Sequence, residues 1–113
     1  MEIINSKIKL EKLKKISKKM FGNLVKVVVD IKKKIMAINA ELHSDEEALL
    51  LENGSDQKNL WGVNIYPNIQ DESWIEFDSM MNLRPSQNNR SRGIDNLAIQ
   101  KKIIKIINNL VIK

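Results

Sequence analysis

Two apolar runs rich in valine and isoleucine, residues 24–31 and 35–42, are separated only by Lys32, Lys33 and Lys34. Three residues are too few for a crossover, so the runs are expected to pair as an antiparallel hairpin with the lysines at its tip. In the first run Val25, Val27, Val29 and Ile31 fall on one face, and Leu24, Lys26, Val28 and Asp30 on the other. In the second, Met36, Ile38, Ala40 and Leu42 point inward. A sheet built on this hairpin needs other elements to cover it.

The flanking segments supply them. Residues 1–4 make a short edge strand. Over residues 10–21, Leu10, Leu13, Ile16 and Met20 keep helical spacing with Lys12, Lys14, Lys15, Lys18 and Lys19 opposite, and Gly22 suits a left-handed C-cap. Ser44-Asp45-Glu46-Glu47 reads as a capping box, with Ser44 as N-cap, opening a short helix that stops at Asn53-Gly54; Ser55 could cap one further turn. Residues 62–66 are a short strand ended by Pro67, with Val63 and Ile65 facing one way and Asn64 and Tyr66 the other. After a polar turn over 68–73, residues 74–84 alternate as the longest strand: Ile75, Phe77, Ser79, Met81 and Leu83 on one face, Trp74, Glu76, Asp78, Met80, Asn82 and Arg84 on the other. Pro85 ends it. A helix from a cap at Asp95 to about Ile112 carries the stripe Ile99, Ile103, Ile106, Ile107 and Leu110. The expected fold is therefore α+β: one domain over 1–113, an antiparallel sheet of four to five strands, an N-terminal and a C-terminal helix, and a short middle helix.

Charge narrows the function classes only modestly. The net charge is +5, and sixteen of the nineteen basic residues are lysine. Lysine, isoleucine and asparagine abound together, as A/T-rich codons would supply them, so the basic balance alone is weak evidence for a polyanion. Charge is also segregated: residues 1–34 carry +8, 35–80 carry −9 and 81–113 carry +6. Such blocks could pair within the fold or across a homo-oligomer. There is no cysteine, which excludes disulfides, thiolate metal sites and cysteine nucleophiles. No apolar run reaches membrane-spanning length and no signal-peptide core is present, so no membrane partner is expected and the cytoplasm is the default compartment.

Four constellations could carry chemistry. All three arginines, Arg84, Arg90 and Arg92, lie within nine positions, accompanied by Ser86, Gln87, Asn88, Asn89 and Ser91, and the loop leads to a helix N-terminus. The guanidinium fork suits carboxylate or phosphate, and free helix N–H groups favour an anion. The competing account pairs these arginines with Glu76 or Asp78. Second, Asn64, Tyr66, Glu76, Asp78 and Asn82 would form a polar sheet face able to bind a metal or activate water, or simply a solvated surface with cross-strand pairs. Third, His43, the only histidine, stands beside Asp45, Glu46 and Glu47, although the spacing matches no established metal motif. Fourth, Trp61 and Trp74 could stack on a base or sugar, or anchor the core.

Two of these stretches also carry a resemblance. The segments Leu60-Trp61-Gly62-Val63-Asn64-Ile65-Tyr66-Pro67 and Ser79-Met80-Met81-Asn82-Leu83-Arg84-Pro85-Ser86-Gln87-Asn88-Asn89-Arg90-Ser91, with Leu49-Leu50-Leu51-Glu52-Asn53-Gly54-Ser55 upstream, resemble a family of small prokaryotic proteins known as a domain of unknown function. Its patterns read LWGxNxYP and NxRPSQxNRS, and the likeness extends over essentially the whole chain. Where this chain has Asn88 the family pattern has glycine; asparagine also tolerates the left-handed region, so a similar turn is expected. The resemblance implies a small stand-alone domain and no catalytic residue.

The residues thus favour a binding module for an anion, either nucleic acid or a phosphate-bearing ligand, formed by Arg84, Ser86, Gln87, Asn89, Arg90, Ser91 and Arg92. One alternative is a small metal-dependent hydrolase or nuclease using Glu76, Asp78 and His43. Another is a structural homo-oligomer. No catalytic signature is present, no metal site is assigned, and any cofactor is left open.

Overall fold

The computed structural model describes residues 1–113. At its centre is the expected hairpin. Strand β3 (Val25–Asp30) runs antiparallel to β4 (Ile35–Ile38), with Val27 opposite Ile38 and Asp30 opposite Ile35. Asp30 organises the tip from a buried position. One carboxylate oxygen accepts the N–H groups of Lys32 and Lys33, both at 2.9 Å, and the other accepts the Ser55 hydroxyl at 2.7 Å. Lys34 closes the turn with a left-handed φ of 59°. β4 is shorter than the alternation over 35–42 suggests. Asn39 takes a φ of 69°, which turns the chain out of the ladder and leaves Leu42 exposed.

The remaining strands complete a five-stranded antiparallel sheet. β1 (Glu2–Ile4) is the edge strand beside β4, β5 (Leu60–Ile65) lies beside β3, and β6 (Ile75–Glu76) follows β5, in the order β1-β4-β3-β5-β6. Helix α1 (Leu10–Met20) and helix α3 (Leu97–Leu110) cover one face. There Leu13, Ile16, Ile103, Ile106, Ile107 and Leu110 pack with Val25, Val27, Val29, Met36, Ile38, Trp61, Val63 and Ile65. Helix α2 (His43–Glu52) covers the other face through a smaller cluster of Val28, Ala37, Leu50 and Leu60. The period-2 alternation of β3 therefore serves two layers. Both tryptophans are buried in the larger core.

Three local expectations are corrected. Ser44 does not cap α2: the helix starts at His43, its N-cap position is Leu42, and no side chain closes it. Residues 74–84 do not form a long strand; after Glu76 the chain leaves the ladder and makes a 3-10 turn at Met80–Asn82. The last helix starts at Leu97 with Asn96, not Asp95, as its cap, because the Asn96 carboxamide oxygen accepts the N–H groups of Ala98 and Ile99. That helix also ends before Val111–Ile112, which form a two-residue strand β7 parallel to β2 (Ile8–Lys9). No helix is long and apolar enough to cross a membrane.

Candidate functional site

The three arginines have separate environments. Arg84 turns back onto β5: its guanidinium donates to the carbonyls of Gln57 (2.7 Å) and Leu60 (2.6 Å), and its carbon lies 4.1 Å from the centre of the Trp61 ring. Arg92 donates to Asp78 at 2.8 Å. Arg90 is exposed, and only its backbone N–H is engaged, by Asp95. Of the other loop residues, Gln87 donates to the Lys58 carbonyl at 3.1 Å, Ser91 donates to Asp95 at 2.6 Å, and Ser86 is exposed. Asn88 takes the left-handed conformation at φ 61°, the turn expected of it.

Asn89 is buried and fully used. Its amide nitrogen donates to the carbonyls of Asn82, Ser91 and Gly93, and its oxygen accepts the Asp95 N–H at 2.8 Å. Asn82 is equally committed. Its oxygen accepts the Gly62 N–H and its nitrogen donates to the Gly62 carbonyl, both at 2.9 Å, with a further bond to the Arg92 carbonyl at 3.1 Å. Gly62 must be glycine for this approach, since a Cβ there would lie 2.7 Å from the Cβ of Ser79. The dense polar character of residues 82–95 is thus spent largely on backbone groups of the protein itself.

The expected polar sheet face forms in part. Asn64 lies opposite Glu76 in the β5–β6 register; its amide donates to Glu76 at 2.9 Å, and the Tyr66 hydroxyl donates to the same oxygen at 3.0 Å. Burial and then this acceptor raise the Tyr66 pKa. Asp78 sits aside with Arg92, and Asn82 is turned into the interior. No three histidine, aspartate or glutamate side chains stand together as a metal-binding group. Among the acidic residues of the middle block, Asp78 alone forms an ion pair.

A different grouping draws on three of the four constellations. A cleft of about 490 Å3 opens between the start of α2 and the segment that follows β6. It is lined by Leu42, His43, Ser44 and Glu47 from the α2 end, by Lys26 and Asn64 from the sheet, and by Asp78, Ser79, Met80, Met81 and Arg92. Lys26 and Asn64 are direct neighbours across β3 and β5, on the face that carries α2. The His43 ring donates from Nε2 to the Val63 carbonyl at 2.8 Å, because a carbonyl can only accept. Burial holds the His43 pKa below its ordinary value, so at neutral pH Nδ1 is an unprotonated acceptor. With no side-chain cap at Leu42, the N–H groups of His43 and Ser44 have no protein partner.

On α2 itself, Glu46 is completely buried one turn before Leu50. One of its oxygens accepts the Ala40 N–H at 3.3 Å, and the other has no partner. Burial pushes its carboxyl up to about 9 against the opposing pull of that N–H and of Lys26, so it is a neutral acid at pH 7. The charge pattern 44–47 reads as dipole-friendly surface acids; only the helix phase relative to the sheet shows that Glu46 points inward. Lys26 and the two methionines entered no candidate site from the residues alone, because their proximity depends on strand register.

A family model described as "Protein of unknown function (DUF5674)" matches residues 2–110. Neither the curated proteins nor the solved structures contain a match. The chain belongs to the DUF5674 family, as the resemblance of its 60–67 and 79–91 segments to a domain of unknown function anticipates.

Proposed function

We propose that this DUF5674 member acts as a single domain that binds a small anionic ligand, bearing a carboxylate or phosphate, in the cleft at the start of α2. The observation that carries this reading is the uncapped helix start: His43 and Ser44, whose N–H groups have no protein partner, line the same cleft as Lys26 and Arg92. A helix N-terminus carries about half a positive charge and presents N–H donors in the direction an anion needs. Arg92 largely neutralises Asp78, so Lys26 and the helix end face Glu47 as the remaining negative charge. Compared with a nucleic-acid surface, this is a small site. Its volume suits one small molecule, and Arg84 is withheld from it by Trp61 and two carbonyls. A metal-dependent hydrolase has less support, since no ligand set gathers.

Sulfate, whose charge is constant across the useful pH range, is the test anion. In a titration followed by amide NMR against a chloride control, the His43 and Ser44 amides should shift saturably. Replacing Lys26 and Arg92 together with alanine should weaken binding by about tenfold or more, as loss of charge-assisted contacts predicts. Because the His43 pKa lies below 6.5, its protonation at lower pH adds a cation, so affinity should rise as pH falls below that value and the rise should vanish in His43→Gln. Absence of saturable shifts would sink the proposal.

A further inference from the structure

The same cleft has an apolar side that an inorganic anion would leave unused. Met80 is 63 % exposed and Leu42 53 % exposed, and both line the cleft together with the partly buried Met81. Their exposure has a local cause. In the Met80–Asn82 turn, Asn82 is drawn inward to Gly62 and Met81 packs against the cluster under α2, which leaves Met80 facing out. Leu42 sits at the N-cap position, where a capping side chain would ordinarily stand. Scattered exposed apolar side chains are ordinary on a protein surface. Here two of them share one cleft with two cations and a free helix N-terminus.

We infer that the ligand of this cleft is amphipathic, an anionic group joined to an aromatic or branched aliphatic portion that rests on Leu42, Met80 and Met81. This rests on the anion-binding reading above and specifies its ligand class. The anionic group lies at the His43–Ser44 N–H groups, between Lys26 and Arg92. The apolar portion covers the methionines, whose flexible thioether chains adapt to a flat ring or a branched chain. Glu47 on the same wall disfavours a second anionic group, so a monoanion fits better than a polyanion.

The two parts are separable with methyl sulfate and phenyl sulfate, monoanions that share one head group. On the full chain, amide NMR titration should find phenyl sulfate binding about tenfold more tightly, the scale expected for burying part of a ring. Met80→Ser, at a largely exposed position, should bring the two affinities to within about twofold, the loss falling mainly on phenyl sulfate; Leu42→Ala should narrow the gap in the same direction. Equal affinities in the unaltered protein, or a gap that survives both variants, overturns the amphipathic assignment and leaves the anion site standing. If neither sulfate binds, the anion site itself fails, and this inference with it.

Discussion

Two regions of this protein are rich in polar groups, and they differ in where those groups are directed. In residues 82–95 the side chains of Asn82, Arg84, Gln87 and Asn89 end on backbone carbonyls and N–H groups of the same chain. Around the start of α2, the N–H groups of His43 and Ser44 and the Nδ1 of His43 have no such partner. The first region is densest in hydrogen-bonding residue types, the second in unused hydrogen-bonding capacity. An abundance of donors marks a binding site only when the protein has not already used them.

The sharpest way to break this contrast is to empty the first region. Asn82→Ala leaves the Gly62 N–H and carbonyl buried without their partners, and should destabilise the fold by about 3 kcal/mol, measured as a shift in the urea midpoint. A loss below about 1 kcal/mol would mean that Asn82 is not structural in the sense argued.

A second effect, one set by pH, comes from Glu46 of α2. Its carboxyl is raised from an ordinary 4.5 to about 9 in the folded protein. The folded state therefore binds this proton more tightly than the unfolded chain. The stability it contributes is fully present below about 4.5, is lost progressively as pH rises, and is gone above about 9. Glu46→Gln, which cannot ionise, should be more stable than the unaltered protein by several kcal/mol at pH 8, at about 1.4 kcal/mol for each pH unit above 4.5, and show no such advantage near pH 4. Unfolding curves at the two pH values decide it; a difference independent of pH contradicts the buried-acid account.

The smallest effect on stability is expected at Arg92, whose ion pair with Asp78 is exposed on both sides. Arg92→Ala should change the unfolding free energy by less than about 0.5 kcal/mol. Since Arg92 lines the cleft, the same variant should still weaken sulfate binding, which separates the two regions in a single protein.

Much of the architecture is legible from residue order. The three-lysine link forces β3 and β4 together, and the isoleucine stripe of α3 and the leucine–isoleucine spacing of α1 identify their buried faces. Residues 77–84 mislead because they alternate as a strand would. What ends the strand is not visible in that pattern: Asn82 and Arg84 reach β5 with side chains in place of backbone. Ser44 misleads in the same way, since a capping-box spelling is satisfied at 44–47 while the helix begins one residue earlier. The polar sheet face was partly readable, because Asn64, Tyr66 and Glu76 are fixed by one hairpin. The cleft was not, because Lys26, His43 and Arg92 meet only through register and layer order.

The side chains that meet β5 have a consequence for other molecules. On the side of β5 opposite β3, β6 pairs only with Asn64 and Ile65 and does not reach Leu60 or Gly62. Asn82 and Arg84 occupy the Gly62 and Leu60 groups that a further strand would need. Open strand edges invite pairing between chains and the aggregation that follows. In this protein the Leu60–Gly62 stretch of that edge is closed by one carboxamide and one guanidinium, which take up backbone groups a strand would use while adding no strand to the sheet.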